Sequence, residues 1–461
     1  MDRETGLQRT LDRYASLPTW QLALGGAVVV AAATIGGLAA PGGNRSMVLL
    51  PVAVAVGLGV LVLAATRFEV FVGCILVIRA SIDTIDFGSR TLDAAGAISV
   101  LFVGASCLWL LAWRDDSARP ASPVAALVPP IAALFLCALI SVLFSEHPLE
   151  SLVEVGRFGT LIVIVAVLGR LVRDERSMRF VLLAALGSAI VPLLVGFRQI
   201  TGGGGVLTAS GLDRVRGTFL HSNPFAAYLF LMFTLAVSLY PHVERRWKLV
   251  LAPLAIACGA CLIATYSRGA WAATVLALIV VGILQDRRIL WLLGATSIVA
   301  VLAIPSIRVR LSDLTESQKE SGAPGNSLVW RLQYWQEVLA LQDDPWFGIG
   351  IKEVELGATA ASTPPHNDPI RIFVETGFLG LAAYTWLLIA LGIQARATLG
   401  RAPPGIPRGL AVAFAATFAG IVVLSLSANM ITQLVILWYF MTIVVLAIAG
   451  SRFPVANAPA S

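Results

Sequence analysis

The stretch Pro364-Pro365-His366-Asn367-Asp368 closes the longest polar segment of the chain, which begins at Ser306 and ends at Arg371. The sequence on both sides of this segment is apolar enough to lie in lipid, whereas the segment itself is not. Its pattern predicts an amphipathic helix from Leu328 to Leu341, and then a tight turn at Asp344-Pro345-Trp346-Phe347-Gly348-Ile349-Gly350. We therefore expect a bundle of membrane helices with one large loop outside the bilayer.

Composition supports the same fold class. Hydrophobic residues make up 57% of the 461 residues and charged residues 13%, whereas a soluble globular chain has about 25% charged residues. Apolar runs long enough to cross the bilayer as helices recur, and the alternation of an outer-membrane barrel is absent. The sequence predicts an all-α polytopic membrane protein with about 12–14 transmembrane helices. The net charge of +6 follows membrane topology, so nucleic acid is not an expected partner.

Hydropathy divides the chain into four parts. They are an N-terminal transmembrane bundle at 1–305, an outer loop at 306–369, C-terminal transmembrane helices at 370–450 and a tail at 451–461. The predicted spans are 20–39, 47–65, 67–81, 95–113, 124–144, 157–172, 179–199, 223–240, 248–265, 268–284, 289–305, 370–393, 409–427 and 431–450.

The arginine-rich stretches orient these spans, because basic residues accumulate in cytoplasmic loops. Arg170–Arg179 and Arg245–Lys248 are the strongest markers. Placing them inside puts both termini in the cytoplasm and the 306–369 loop outside, which in a bacterium is the periplasm or the cell exterior.

This orientation leaves several arginines at the outer ends of spans, where such residues are disfavoured. An arginine against the bilayer costs about 2.5–3.5 kcal/mol on insertion scales, so it usually has a partner or a function. Snorkelling to the interface explains any single one, but the set indicates an outward-facing anion site. The residues are Arg157, Arg214, Arg216, Arg268 and Arg371.

The predicted helix in the loop has one apolar face, which indicates either a helix in the membrane interface or a helix packed against other loop residues. Arg331 and Gln336 lie off that face. The residues on it are Leu328, Leu332, Trp335 and Leu339.

The first polar motif is Arg214-Val-Arg216-Gly217-Thr-Phe-Leu-His221-Ser-Asn223-Pro224. Pro224 suits the first turn of the following helix, and Asn223 is a candidate cap. Free amides at a helix start beside Arg216 predict a phosphate site. A cap combined with an interface anchor is the alternative.

The second motif is Thr265-Tyr266-Ser267-Arg268, which interrupts two apolar runs. A polar break at a membrane face is costly unless it lines a cavity, although a tight hairpin between spans is the alternative. Arg268 can bind a phosphate through two hydrogen bonds.

The third motif is His366-Asn367-Asp368-Pro-Ile-Arg371-Ile-Phe-Val-Glu375-Thr-Gly377-Phe-Leu-Gly380. An imidazole can take a proton from a sugar hydroxyl near neutral pH, so His366 is a candidate base, although a single histidine is more often structural. Arg371 and Glu375 lie four residues apart and can pair on one helix face.

No cluster of metal ligands is predicted. Cys258 and Cys261 have CxxC spacing, but they fall in the middle of an apolar run without a nearby histidine, so we expect helix packing there.

Four segments carry a family resemblance: Arg216-Gly-Thr-Phe-x-His-x-Asn223, Ser267-Arg268-Gly269-Ala270-Trp271, Trp335…Asp344-Pro-x-x-Gly348-x-Gly350 and His366-Asn367…Glu375-x-Gly377-x-x-Gly380. In this order, they resemble the O-antigen ligase and O-antigen polymerase family of bacterial polysaccharide assembly. The resemblance is closest over 210–385. A weaker feature is Ser145…Ser151-Leu…Arg157.

The resemblance implies a GT-C-like bundle in the bacterial cytoplasmic membrane that transfers a saccharide from an undecaprenyl-diphosphate-linked donor to a glycan or lipid acceptor. It implies direct transfer with inversion, with no metal and no nucleotide sugar as cofactor. The implied catalytic residues are His366 as base and Arg216 and Arg268 on the pyrophosphate. The candidate substrate-binding residues are Arg157, Arg214, His221, Asn223, Ser267, Asn367, Arg371 and Glu375.

Two other functions remain open on sequence grounds. Outward arginines also suit a transporter of an anionic solute or a flippase of a lipid-linked glycan, although no inverted repeat with broken spans is evident. A peptidoglycan polymerase of the shape, elongation and division type has a similar architecture but different motifs. Ligase and polymerase differ only in the acceptor, which the sequence does not specify.

Overall fold

The computed structural model describes residues 59–60, 62–84, 94–112, 122–207, 213–303, 308, 327–342, 344–359 and 362–453. Four predicted features lie wholly or mostly outside these residues: the span 20–39, most of the span 47–65, residues 309–326 of the outer loop and residues 454–461 of the tail. The chain divides into two compact units, one of residues 1–76 and 100–117 and the other of residues 77–99 and 118–461.

Aromatic side chains pack the first unit. Phe68, in helix α1 (Phe68–Arg79), stacks on Trp109, in helix α2 (Ala94–Ala112), with ring centroids 4.3 Å apart. Phe71 lies close to Phe102. Each aromatic pair adds about 0.5–1.5 kcal/mol beyond the area it buries.

The second unit is helical apart from one pair of two-residue strands, within the part of the chain that the structure describes. Its first helices are α3 (Val128–Ser141), α4 (Pro148–Leu171), α5 (Glu175–Gly187), α6 (Ile190–Gly202), α7 (Ser222–Leu239), α8 (Arg245–Ala264), α9 (Arg268–Leu284) and α10 (Arg288–Ala303). The later helices are α11 (Ser327–Leu339), α12 (Asp368–Arg401), α13 (Ile406–Ser425) and α14 (Leu434–Gly450). Strands β1 (Val206–Leu207) and β2 (Asp213–Arg214) pair antiparallel between α6 and α7.

Local sequence explains where several helices begin. Prolines occupy the first turn of α3, α4, α12 and α13, where a missing backbone N–H costs nothing. Helix α5 begins with a capping box, in which Asp174 accepts from the Ser177 N–H at 2.8 Å. Helix α4 begins at Pro148, before the first residue of the predicted span 157–172. As a result, Arg157 lies inside α4 and not at its start.

Seven helices in the described residues are long and apolar enough to cross a membrane, and four shorter apolar helices accompany them. This confirms the predicted all-α polytopic membrane protein. The predicted break between the spans 248–265 and 268–284 is also confirmed, since α8 ends at Ala264 and α9 begins at Arg268.

Helix α14 forms the centre of the second unit and is buried along its whole length. It packs against α4, α5, α7, α12 and α13. Two polar pairs lie in this core: Trp438 Nε1 donates to Thr160 Oγ1 at 3.0 Å, and the hydroxyls of Tyr228 and Ser188 lie 2.6 Å apart. Pairing removes the cost of burying these groups away from water.

Helix α12 is interrupted at Gly377, whose φ of 68° and ψ of −169° are not helical. The turn at 345–350 runs alongside this kink. The Ile349 and Gly350 N–H groups donate to Val374 O and Glu375 O at 3.0 and 3.1 Å, and the Phe378 N–H donates to Pro345 O at 2.7 Å. A Cβ at residue 377 would meet Trp346 O at 2.1 Å, so the close approach of the two backbones requires glycine.

Helix α11 confirms the predicted amphipathic helix, but its buried face differs from the predicted one. Tyr334 and Val338 are the buried residues, in a core with Val354 and Val374. Leu332 and Leu339 are 49% and 41% exposed. Exposure of these two leucines agrees with an apolar face that lies in the membrane interface and not with one packed against other loop residues.

Candidate functional site

The first two polar motifs meet at one end of α7, α8 and α9. Arg214 Nε donates to Thr265 O at 2.7 Å, although the two residues are 51 positions apart. The Val215 N–H donates to Ala264 O at 3.2 Å. These contacts place the end of β2 and the residue after it beside the loop between α8 and α9.

Gln199 shapes the backbone around Arg216. Its Oε1 accepts from the N–H groups of Arg216 and Gly217 at 3.0 and 2.9 Å, and its Nε2 donates to Gly217 O at 3.2 Å. Gly217 has a φ of 56°, and a Cβ there would meet the Phe225 ring at 2.8 Å. The Arg216 guanidinium donates to Leu220 O at 3.3 Å, while its Nε is buried without a partner among the described residues.

The prediction that Asn223 caps α7 is wrong. The N-cap is His221, and Asn223 lies in the first turn of the helix. Asn223 Oδ1 accepts instead from an Arg214 amino group at 2.7 Å. A capping asparagine would accept from a backbone N–H of α7. Here the donor to Asn223 is the side chain of Arg214 instead. His221 itself is exposed.

The loop between α8 and α9 is tightly constrained. Tyr266 has a φ of 51°, a left-handed conformation that is uncommon for a bulky side chain. Thr265 Oγ1 accepts from the Ser267 N–H at 3.3 Å, and Trp271 Nε1 donates to Leu262 O at 3.0 Å. Strain of this kind concentrates at functional sites. The loop delivers Arg268 to the first position of α9.

Helix α11 anchors the segment that carries His366. Trp335 Nε1 donates to Pro365 O at 2.6 Å, and the Tyr334 hydroxyl donates to Thr363 O at 2.5 Å. His366 has a φ of 56°, so its backbone is also in the left-handed region. The imidazole position is thus determined by contacts on both sides of the residue.

The side chain of Asn429 contacts His366 twice. Asn429 Oδ1 accepts from the His366 N–H at 2.9 Å, and Asn429 Nδ2 lies 3.0 Å from His366 Nδ1. Burial and the nearby Arg331 guanidinium lower the pKa of His366 to about 4, and Glu355 opposes them only in part. The imidazole is therefore neutral at physiological pH, as a proton acceptor must be.

Arg331 is a site residue that the sequence analysis missed. Burial and the neighbouring Arg268 guanidinium lower the pKa of Arg331, and Arg331 in turn acts on His366. No carboxylate within the described ranges forms an ion pair with Arg331. The sequence indicates Arg331 only by its position near Trp335 in the predicted helix.

Asn367 caps α12. Its Oδ1 accepts from the Ile370 N–H at 3.0 Å, and its Nδ2 donates to Leu426 O at 3.3 Å. Asp368 accepts from the Ile431 N–H at 3.2 Å and holds the short helical turn that follows Asn429. The predicted substrate-binding role of Asn367 stays a prediction, and the contacts give the residue a structural role.

The predicted pairing of Arg371 with Glu375 is present. Arg371 Nε donates to Glu375 at 3.0 Å, and Arg371 Nη1 donates to Glu355 at 2.5 Å. The side chains of Arg371 and Glu375 are only 1% and 2% exposed. Together with Glu154, they line a cleft of roughly 460 Å³. Glu154 also forms an ion pair with Arg157 at 3.4 Å. Arg371 Nη2 and Glu375 Oε1 are buried without a hydrogen-bond partner among the described residues, and substrate contact by these residues remains a prediction.

The weaker feature around Ser145 proves to be a clamp on the outer loop. Glu353 accepts from the Ser145 hydroxyl and, at 2.8 Å, from the His147 N–H, and its other oxygen lies 3.0 Å from His147 Nδ1. Ser151 Oγ donates to Ile351 O at 2.6 Å. The sequence analysis did not identify Glu353, because its partners lie about two hundred residues earlier in the chain.

No group of three or more His, Cys, Asp or Glu side chains in the described part of the chain is arranged to hold a metal ion. Cys258 and Cys261 are buried free thiols in α8, which agrees with helix packing.

Comparison with known proteins finds one matching family. Residues 253–385 match the family described as O-antigen ligase. None of the curated proteins gives a match. The matched segment contains Arg268, Arg331 and His366 and covers three of the four motifs that carry the resemblance. Over residues 253–385, this multi-pass membrane protein is therefore similar to the O-antigen ligase family, in agreement with the family resemblance of its sequence motifs.

Proposed function

We propose that this protein is a glycosyltransferase of the bacterial cytoplasmic membrane that uses an undecaprenyl-diphosphate-linked saccharide on the outer face. It transfers the saccharide to a glycan or lipid acceptor, or extends a second lipid-linked glycan. One observation supports this most directly: Arg331 is within electrostatic reach of both Arg268 and His366, and Arg331 has no acidic partner in the described residues. Cations gathered in this way at a half-buried site favour an anionic ligand.

A pyrophosphate is the anion that this arrangement suits. Arginine guanidinium groups bind phosphate oxygens through two hydrogen bonds each and remain charged in a half-buried site. We assign Arg268 and Arg331 to the pyrophosphate of the donor, and we assign Arg216 the same role on the strength of the family resemblance. As the bond to the sugar breaks, negative charge builds up on the departing phosphate oxygen, where the arginines stabilise it.

His366 is the proposed base. The acceptor hydroxyl attacks the anomeric carbon, the carbon–oxygen bond to the lipid diphosphate breaks, and the hydroxyl proton passes to the imidazole. Attack from the face opposite the leaving group inverts the anomeric centre. A neutral ring can accept that proton, and the low pKa of His366 keeps the ring neutral. We expect no metal or nucleotide sugar in this reaction.

Purified protein in nanodiscs tests this function directly. The donor is a lipid-diphosphate-linked oligosaccharide, and the wild type is compared with Arg216→Ala, Arg268→Ala and His366→Ala. Arg179→Ala is the matched control, because Arg179 is exposed and pairs only with Glu175 on α5.

The proposal requires that the wild type release undecaprenyl diphosphate and form a new glycosidic bond. The three site variants should lose transfer by about 10²-fold or more while remaining folded, and the control should retain it. A wild type that moves no sugar to any acceptor, yet binds lipid diphosphate through these arginines, would instead indicate a flippase or transporter.

A further inference from the structure

The connection between α13 and α14 carries a residue outside all the motifs described above. Asn429 is only 5% exposed, and both ends of its side-chain amide face His366. The two residues are 63 positions apart. Both polar atoms of the Asn429 amide contact His366. The orientation of the amide therefore depends on which ring nitrogen of His366 carries the hydrogen.

The backbone determines which way the amide points. A backbone N–H is only a donor, so the atom of Asn429 that faces the His366 N–H must be the acceptor Oδ1. The amino group Nδ2 then faces His366 Nδ1. An amino group is only a donor, so Nδ1 must be the ring nitrogen without hydrogen. In the neutral ring the hydrogen is consequently on Nε2.

The charges around the ring favour its neutral form on balance. Arg331 on α11 and Arg371 on α12 are cations that disfavour an imidazolium, and Glu355, before the α12 start, is the carboxylate that opposes them. A proton added at Nδ1 would point at the amino group of Asn429. The ring is therefore held in one neutral tautomer and not only in one position.

We infer that Asn429 sets the tautomer of His366, keeping the hydrogen on Nε2, and so decides which ring nitrogen can take up the proton of the acceptor. This inference rests on the proposed function, in which His366 is the base. Nε2 can take up the acceptor proton only after the ring hydrogen has exchanged through water from Nε2 to Nδ1. The amide of Asn429 must then turn over, so that Oδ1 accepts from the Nδ1 hydrogen and no longer from the His366 N–H. Asn429 is a positioning residue in this account, since it acts through His366.

An aspartate at position 429 should reverse the tautomer preference of the His366 ring. Both carboxylate oxygens are acceptors, so one can take the His366 N–H and the other an Nδ1 hydrogen. In Ser-His-Asp triads the aspartate holds the tautomer whose Nε2 accepts a proton, and an asparagine in its place selects the wrong tautomer. Asn429→Asp should therefore hold the ring in the form ready to act as a base.

Nitrogen-15 NMR of histidine-labelled protein in nanodiscs tests the assignment without any substrate. The chain has four histidines, and loss of one signal pair in His366→Gln assigns the ring. The wild type should show hydrogen on Nε2, and Asn429→Asp should show it on Nδ1. Asn367→Asp is the matched control for added charge. Its side chain contacts Ile370 and Leu426 and not the ring, so it should leave the hydrogen on Nε2.

The pH profile of transfer gives the functional readout. Asn429→Asp should move the acid limb upward by about 1–3 pH units, because a carboxylate beside the ring favours its protonated form. Hydrogen on Nδ1 in the wild type, or an acid limb that does not move in Asn429→Asp, would overturn the inference. If Asn429→Asp moves the ring hydrogen to Nδ1 but the variant no longer transfers sugar, the assigned tautomer of the wild type stands and His366 is not the base of the proposed function.

Discussion

Arg331 lies within electrostatic reach of Arg268, whose positive charge helps burial to lower the pKa of the Arg331 guanidinium. The two residues come from different helices, α11 in the outer loop and α9 in the membrane bundle. Two cations remain together at a half-buried place only if the bundle forces them together or an anion joins them. This juxtaposition makes Arg331 the most informative position in the protein to change.

Arg331→Gln should lower kcat/KM for the lipid-linked donor by about 10²–10³-fold, because it removes one charged donor from the pyrophosphate. Arg331→Lys should fall in between, since it keeps the charge but loses the two-pronged hydrogen bond. The measurement is steady-state transfer with varied donor. Arg179→Gln, which breaks an exposed pair with Glu175, should change little. Unaltered kinetics in Arg331→Gln would exclude this residue from the donor site.

Gly377→Ala should destabilise the protein strongly. Its φ of 68° costs an alanine about 1–3 kcal/mol, and the added Cβ would also clash with Trp346 O. The unfolding temperature in detergent measures the effect. Gly156→Ala in α4 is the control, because a Cβ there meets nothing within 4 Å, and alanine stabilises a helix by about 0.5–1 kcal/mol relative to glycine. Similar unfolding temperatures for the two variants would show that the loop and the kink do not depend on each other.

The pair His147–Glu353 should make the clamp on the outer loop pH-dependent. The hydrogen bond with Glu353 raises the pKa of His147. Burial would raise the pKa of Glu353, but hydrogen bonds from Ser145 and His147 outweigh it and lower that pKa. The histidine contribution to stability is complete below its unfolded pKa and is lost as pH rises through the folded pKa. The glutamate contribution is complete above its unfolded pKa and is lost as pH falls through the folded pKa.

Stability of the outer loop should therefore be highest at pH values between the unfolded pKa of Glu353 and the unfolded pKa of His147, where both contributions are complete. Limited proteolysis across this pH range measures it. Glu353→Gln should flatten the dependence, whereas Glu244→Gln, which removes an exposed partner of Arg246, should leave it in place. A flat profile in the wild type would count against the clamp.

The buried pair Arg371–Glu375 should tolerate the loss of one partner poorly. Removing one partner of a buried ion pair costs about 3–5 kcal/mol. Glu375→Ala should fall at the low end of that range, since Glu355 still pairs with Arg371. Arg371→Leu should be worse, because it leaves Glu375 buried and charged. Thermal unfolding of both variants checks the order, and equal or negligible losses would contradict it.

Local sequence specifies which segments are membrane helices, because the free energy of placing a helix in lipid depends on the residues within that helix. It also determined contacts within one helix, such as Arg371 with Glu375, since residues four positions apart share a face whatever surrounds them. The break at Thr265-Tyr266-Ser267 and the amphipathic helix α11 were predictable for the same local reason.

Contacts between distant segments follow from the packing of the whole fold. Asn429 with His366, Arg331 with Arg268 and Glu353 with His147 join different elements of the fold, and no local pattern specifies such a pairing. The buried face of α11 and the partner of Asn223 were also decided by packing, which selected among options that were equally good locally. Covalent spacing constrains neighbours along one helix, whereas distant neighbours depend on how all the helices fill the core together.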